Sequence, residues 1–163
     1  MAKENTELKI GTKMADGTIY LGLYNEKDWF VAAEDAKDSN GKNLAPEFNA
    51  AVEYAKNLKA HGHDDWMLPP GKNDQKEPDI LNEMFNNRSI GAFKGTYNEG
   101  DSWRDNSSWY WSSTKSDDPD DRVEVQQFGE GIRDRYLMYA PVSVRAVRVV
   151  SRGFRAPAGS IFP

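Results

Sequence analysis

The chain has 163 residues and a net charge of −5 at pH 7; 38% of its residues are hydrophobic, 12% are aromatic and none is cysteine. The length fits a single domain with a substantial core, and the aromatic content argues against disorder. The acidic balance argues against a nucleic-acid partner, and the absence of cysteine excludes disulfides, thiol nucleophiles and zinc–thiolate sites.

The first element predicted along the chain is a β-hairpin at about residues 18–33. Residues 19–24 alternate in strand-like fashion, and residues 29–33 form a second apolar run. A turn signal at 25–28 lies between the two runs. We therefore expect two antiparallel strands, followed by a charged loop at 35–43.

Two amphipathic helices are predicted next. Pro46 opens the first helix, at a position where its missing N–H costs nothing. The apolar residues of this helix recur at three- and four-residue spacing and predict one buried stripe, formed by Phe48, Ala51, Val52, Ala55 and Leu58. Pro78 opens the second helix, whose apolar residues lie between positions 80 and 85. Residues 66–68 are expected to form a short buried strand between the helices.

The C-terminal half is predicted to consist of short strands around a hairpin. Residues 109–114 and 144–148 are interpreted as strands. Residues 122–139 alternate like two further strands that turn at Gly129-Glu130-Gly131. Rings that flank strands must cover the two helices, so we expect three tryptophans to be buried, namely Trp66, Trp109 and Trp111. Together these elements predict an α+β fold.

The charge is unevenly distributed. From position 129 onward the chain has six arginines, no lysine and two acidic residues. Arginine suits paired contacts with carboxylates and phosphates better than lysine does. We expect Arg145 and Arg148 to pair structurally with acidic residues elsewhere, whereas the roles of Arg133 and Arg135 are left open.

Three polar clusters resemble metal sites, but none offers a convincing ligand set. Residues 61–65 contain both histidines and two aspartates, just past a helix end where His also suits exposed carbonyl groups. The triplets at 77–79 and 103–105 resemble the Glu-Pro-Asn and Trp-Asn-Asp triplets of calcium-dependent sugar-binding lectins, yet the second lacks its Asn. The acidic run 117–121 lacks the Gly and distal Glu of a hand-type calcium loop. We therefore expect no metal and no cofactor.

The hairpin is the candidate binding surface. Residues 132–139 are rich in Arg, Tyr, Met and aliphatic types, which are enriched where proteins meet proteins. In a strand, Arg133, Arg135 and Leu137 lie on one side, and Asp134, Tyr136 and Met138 lie on the other. The sequence leaves open which side is exposed. Within this segment we favour Arg135, Tyr136 and Tyr139.

Five ordered motifs, at 61–69, 80–88, 89–93, 109–114 and 144–148, resemble a widespread bacterial and phage domain of unknown function. That domain has a C-type-lectin-like fold, related to the formylglycine-generating-enzyme fold. The resemblance covers about residues 46–150. It implies two helices packed on short antiparallel strands with much irregular loop, in one domain spanning 1–150 with a tail at 151–163.

Some members of that domain are the variable proteins of diversity-generating retroelements. In those proteins a stretch ending at the Val-Arg-x-Val-Arg motif is mutagenised to make new binding surfaces. Carried over, the stretch includes Gln127 and residues 132–142 here. The candidate ligand-binding residues are therefore Gln127, Ile132, Arg133, Asp134, Arg135, Tyr136, Leu137 and Tyr139.

The resemblance implies no catalysis. Formylglycine-generating enzymes use cysteines, and the related iron-dependent sulfoxide synthases need a site with several histidines. This chain has no cysteine and only two histidines. It also lacks a Gly-rich phosphate loop and a nucleophile elbow, so we expect it not to be an enzyme.

Two functional hypotheses follow. The first is a non-enzymatic binding module that presents residues 122–142 to a protein or glycan. The alternative is a phage or virion structural or receptor-binding component whose domain mainly mediates assembly. The tail at 151–163 is apolar at its end; a stable oligomer held by it would favour assembly, and a monomer with a protease-sensitive tail would favour the binding module. The oligomeric state is left open.

The sequence predicts no insertion into a membrane. No apolar run approaches the roughly 20 residues that a membrane span needs. The N-terminal residues lack the apolar core of a signal peptide. We expect the protein to be cytoplasmic as synthesised, and to reach a virion or cell surface only by a non-classical route.

Overall fold

A computed structural model describes residues 8–100, 106–116 and 121–152. The elements along the chain are β1 (Ile19–Tyr24), β2 (Lys27–Val31), α1 (Phe48–Asn57), α2 (Ile80–Asn86), β3 (Trp109–Lys115), β4 (Arg122–Gln127), β5 (Arg133–Leu137) and β6 (Val147–Ser151), with single 3-10 turns at Gly91–Phe93 and Asn106–Ser108. The described residues thus form two helices and two small antiparallel sheets. The predicted α+β class is confirmed.

The first sheet joins the beginning and the end of the described chain, in the order β1-β2-β6. The predicted N-terminal hairpin is confirmed, and its turn is made by Asn25 and Glu26, both at positive φ. This is the two-residue geometry that matches the twist of a hairpin. The strand predicted at 144–148 begins only at Val147. The carbonyl groups of Val144 and Ala146 instead accept hydrogen bonds from the backbone of the segment that follows β2.

The second sheet has the order β3-β4-β5, so β5 lies at an edge. Its hairpin, β4 and β5, has the predicted turn around positions 129–131. Ser143, in the segment between β5 and β6, forms a parallel bridge with Tyr110 of β3. The strand predicted at 66–68 is reduced to a bridge, in which Met67 and Val147 exchange two backbone hydrogen bonds of 2.8 and 2.9 Å.

The helix α1 begins two residues after Pro46 and packs on the second sheet. Phe48, Ala51 and Ala55 are buried as the spacing predicted, and the Phe48 ring meets the Trp111 ring edge-on at 5.5 Å. Val52 is exposed, contrary to the prediction. The rest of the protein covers only a narrow face of this short helix, formed by Phe48, Ala51 and Ala55. Leu58 follows the helix as its C-cap residue.

The helix α2 packs within the other main core cluster. Ile80, Leu81 and Met84 are fully buried, as predicted, and contact a cluster that includes residues of the first sheet together with Tyr110 and Phe128. Asp79 caps its first turn by accepting a hydrogen bond from the Asn82 N–H at 3.2 Å.

The predicted burial of the tryptophans and the predicted pairing of two arginines are confirmed. Trp66, Trp109 and Trp111 are all buried. Arg145 pairs with Asp35 at 3.0 Å, and Arg148 pairs with Asp65 at 2.7 Å. Within the described residues, no helix is long and apolar enough to cross a membrane.

Candidate ligand-binding surface

The hairpin that carries the candidate residues is held at its turn. Gly131 has φ +82°, and an added Cβ would lie 2.6 Å from the Phe85 ring, so both the conformation and the space require glycine. Its N–H donates to the Gln127 carbonyl at 2.7 Å. Pairing then runs from Gln126 opposite Arg133 to Arg122 opposite Leu137. The outer strand of the hairpin therefore has a defined register.

One side of β5 faces the core. The Tyr136 ring lies 5.0 Å from the Trp109 ring, and Tyr136 and Met138 both pack against the core cluster that contains α1. Burial, and to a lesser extent the charge of Asp134, raises the pKa of the Tyr136 hydroxyl. Tyr136 is half-buried and thus partly a scaffold residue, and its selection among the three favoured surface residues stays a prediction.

The other side chains of the segment face solvent. Tyr139 is 81% exposed, Leu137 is 46% exposed and Ile132 is 41% exposed, and Arg135 and Asp134 are also exposed. We call these five residues, Ile132, Asp134, Arg135, Leu137 and Tyr139, the hairpin surface. Strict alternation fails at Asp134, which is exposed even though it lies on the same side of the strand as Tyr136.

Gln127 does not belong to the surface, contrary to the prediction. Its side chain is 0% exposed, and its amide donates to the Gly100 carbonyl at 2.7 Å and to the Ser108 hydroxyl at 3.1 Å. Its carbonyl oxygen accepts a hydrogen bond from the Glu130 N–H. The Gln127 side chain therefore stabilises the turn from inside the fold, because its amide group forms hydrogen bonds with the Gly100 carbonyl and the Glu130 N–H.

Arg133 links the hairpin to α2, and part of its hydrogen-bonding capacity is used within the fold. Its guanidinium donates two hydrogen bonds to the Asp79 carboxylate, at 2.8 and 3.1 Å. Asp79 also caps α2, so this residue connects the helix to the edge strand. This pairing is indicated in the sequence only by the general preference of arginine for bidentate contacts with carboxylates.

The middle of the edge strand is not an open template for another strand. The Arg135 N–H donates to the Asp134 carboxylate at 2.7 Å, and the Arg135 carbonyl accepts from the Arg122 guanidinium at 3.4 Å. Edge strands with unoccupied backbone groups attract further strands. Here both backbone groups of Arg135 have partners, so neither is free to pair with a further strand.

A polar cleft adjoins the hairpin surface. Its volume is about 270 Å³, and it is lined by Lys72, Asn73, Glu124, Val125, Arg133, Asp134 and Arg135. Sequence reasoning missed the contribution of the loop before α2, because Lys72 and Asn73 lie some fifty residues from the strands that they face.

The two histidines form contacts within the fold. The His63 ring lies 2.7 Å from the Asp16 carboxylate, and the His61 ring accepts a hydrogen bond from the Ala33 N–H at 3.3 Å. Burial raises the Asp16 pKa, but hydrogen bonds from His63 and Thr18 outweigh burial and lower it. Within the described ranges, no group of three His, Asp or Glu residues is placed to hold a metal ion. The triplet at 103–105 and most of the acidic run, 117–120, lie outside the described residues.

A buried ionic network lies beneath the two sheets. The Arg145 guanidinium is 0% exposed, and the Tyr110 hydroxyl donates to the Asp35 carboxylate at 2.5 Å. Burial raises the Asp35 pKa, against the opposing effects of Arg145 and Tyr110. Burial also raises the pKa of Tyr110. These groups satisfy one another inside the fold.

No protein-family model matches the chain, and no curated protein that was compared with it matches either.

Proposed function

We propose that the chain is a non-enzymatic ligand-binding module with a C-type-lectin-like fold, which presents the hairpin surface to a protein or glycan ligand. One observation carries the proposal. Tyr139 is 81% exposed at the end of a hairpin whose inward residues, Tyr136 and Met138, already supply the contacts with the core. The fold does not require the Tyr139 ring, whereas interfaces favour such rings.

The composition of the hairpin surface supports a binding role. Three large apolar side chains, Ile132, Leu137 and Tyr139, are exposed within eight residues, together with Arg135. Exposed apolar groups that cluster on one element are typical of interaction sites, whereas scattered ones are ordinary. Tyr and Arg are also the residue types that contribute most to binding energy at interfaces.

The resemblance to the variable proteins of diversity-generating retroelements supports the same surface. The motifs that flank the hairpin are represented in the core by Trp111, Val144 and Arg145, all of them fully buried. A scaffold that tolerates change in a hairpin needs fixed residues on both sides of it and side chains that point away from the core. Arg135, Leu137 and Tyr139 meet that requirement, since replacing them removes little packing.

The absence of catalysis is part of the proposal. It is supported by the sequence, which lacks the cysteines and the set of histidines that enzymes of the related folds use. It is also supported by the engagement of both histidines in contacts within the fold. The alternative of an assembly component rested on the tail, of which the structure describes only Ser151 and Arg152. It stays a prediction.

The proposal is tested by selecting binders from a random peptide display library and by screening a glycan array with the whole protein. The test variant carries Arg135→Ser, Leu137→Ser and Tyr139→Ser. We expect binders of the natural protein to lose at least tenfold in affinity for this variant, because truncating one interface anchor often costs about 2 kcal/mol or more and about 1.4 kcal/mol is tenfold.

A matched control replaces one cation and two exposed apolar residues far from the hairpin surface, with Leu23→Ser, Ile90→Ser and Lys94→Ser. Both variants should melt within a few degrees of the natural protein, since all six side chains are exposed. Binders that hold equally well to the hairpin variant and lose affinity for the control would contradict the proposal.

A further inference from the structure

The cleft beside the hairpin surface contains charges that the fold leaves uncompensated. Lys72 and Arg135 contribute two cations, and Glu124 and Asp134 contribute two carboxylates. In the described part of the chain, no salt bridge joins any of these four side chains to another charged group. Glu124 and Arg135 lie directly opposite each other on β4 and β5, yet they do not pair.

The Glu124 carboxylate lies at the base of this cleft. The residue is 5% exposed, and its carboxylate accepts a hydrogen bond from the Asn73 N–H at 3.2 Å and another from the Asn73 side-chain amide. A carboxylate has about four acceptor positions, so capacity is left for further donors. A buried carboxylate without a cation is costly unless donors surround it. The cleft therefore favours an occupant that brings hydrogen-bond donors.

The cations at the rim favour an acid. The charge of Arg133 is met by the two hydrogen bonds to Asp79, but the Arg135 guanidinium and the Lys72 ammonium are exposed and have no carboxylate partner among the described residues. Arginine recognises carboxylates through paired hydrogen bonds. An occupant that satisfies Lys72, Arg135 and Glu124 carries an acid together with its own N–H or O–H donors.

We propose that this cleft takes an acidic side chain of a partner protein, a proposal that rests on the proposed function of the hairpin surface. An aspartate or glutamate in an extended segment offers its carboxylate to Lys72 and Arg135, and offers a neighbouring peptide N–H group to Glu124. The volume of about 270 Å³ lies just below the range of about 300–1,000 Å³ of small-molecule sites, so it suits a single residue.

The exposed apolar residues beside the cleft favour a protein ligand over a sugar. Arg135 and Leu137 lie on the same side of β5, two residues and hence about 7 Å apart. Leu137 is 46% exposed, and Tyr139 lies beyond it. An extended peptide that places its acid at Arg135 puts the side chain two residues away at Leu137. The recognised pattern is thus an acidic residue separated by one position from an apolar residue.

The experiment is an NMR titration of the whole ¹⁵N-labelled protein with capped tripeptides. The probes are acetyl-Glu-Ala-Leu-amide, the reversed acetyl-Leu-Ala-Glu-amide, the matched acetyl-Gln-Ala-Leu-amide and its own reversal, and glucuronic acid as an acidic sugar. We expect the Glu peptide in one of its two orders to shift the backbone amides of Lys72, Asn73, Asp134 and Arg135. It should bind about tenfold more tightly than the matched Gln peptide, because a hydrogen bond to a charged group is lost.

Two charge-matched double variants test whether the preference for the Glu peptide arises in the cleft. Lys72→Gln with Arg135→Gln should abolish the preference for Glu over Gln, whereas Lys42→Gln with Lys94→Gln should retain it, since those lysines are exposed and outside the cleft. The proposal is overturned if Glu and Gln peptides bind equally, if neither shifts these amides, or if glucuronic acid shifts them at a lower concentration than the peptide.

Failure of this inference is distinguishable from failure of the proposed function. Binders selected from the peptide library can be compared on the Lys72→Gln/Arg135→Gln variant and on a Leu137→Ser/Tyr139→Ser variant. If the binders lose affinity only for the Leu137→Ser/Tyr139→Ser variant, the hairpin surface remains a binding site and the acidic occupant is rejected. If the binders keep their affinity for both variants, the hairpin surface is rejected as the binding site as well.

Discussion

Replacing Arg145 by Met tests the buried network that supports both sheets. The guanidinium donates to the Ala32 carbonyl at 2.7 Å, to the Asp35 carboxylate at 3.0 Å, and to Thr96 at 3.1 and 3.0 Å. Its carbon also lies 4.2 Å from the centre of the Tyr97 ring. Met fills a comparable volume but offers no donor, so the substitution leaves the Asp35 carboxylate buried without its cation.

The expected loss is about 3–5 kcal/mol in the free energy of unfolding, which is typical when one partner of a buried ion pair is removed. Arg148→Met is the matched comparison. Arg148 pairs with Asp65, whose side chain is 49% exposed, so water takes over much of the lost contact. That variant should lose less, about 1 kcal/mol, because the carboxylate that loses its partner is open to solvent.

The loss on Arg145→Met should depend on pH. Burial raises the Asp35 pKa and Arg145 opposes that rise, so removing Arg145 raises this pKa further. An acid whose folded pKa is raised stabilises the fold fully below its unfolded pKa of 3.8, and this contribution is lost as the pH rises through the folded pKa. The loss should therefore be smaller at about pH 4.5 than at about pH 8.

Urea unfolding followed by circular dichroism measures these differences. Adding Asp35→Asn to Arg145→Met should recover part of the stability at about pH 8, because the unpaired charge is removed. A loss on Arg145→Met no larger than that on Arg148→Met, or a loss that grows towards acid pH, would refute the electrostatic account of this network.

Trp111→Ala should lower the free energy of unfolding by about 3–5 kcal/mol, because the ring is fully buried and its N–H donates to the Pro46 carbonyl at 2.9 Å. An unchanged melting temperature would show that β3 is not part of the core. Adding a chelator should leave the melting temperature and any binding unchanged, which differential scanning calorimetry checks. If the chelator lowers the melting temperature, and substitution of His61 or Asp120 abolishes this effect, a metal ion stabilises the fold.

Periodic and local signals predicted most elements of the fold. The hairpins followed from alternation and turn residues, and α2 followed from its apolar spacing and from Pro78. The strand expected at 144–148 was placed too early because Val144 and Ala146 are paired with the segment after β2, a partner that lies more than a hundred residues away. Local patterns carry no information about such partners.

The candidate surface was predictable as a segment but not residue by residue. Composition indicated the hairpin, yet burial of Gln127 depends on backbone groups that only the folded turn brings to it. The inward packing of Tyr136 depends on Trp109, and the partial engagement of Arg133 depends on Asp79. Each of these outcomes is set by a contact between distant parts of the chain.

The central claim is that the hairpin surface is the part of the molecule that binds a ligand. The most direct measurement is hydrogen exchange by mass spectrometry on the protein alone and in complex with the tightest peptide or glycan selected against it. The account predicts slowed exchange across residues 132–139 and at the neighbouring loop around Lys72 and Asn73. Protection confined to a distant region, such as the turn at Asn25 and Glu26, with 132–139 unchanged, would contradict it.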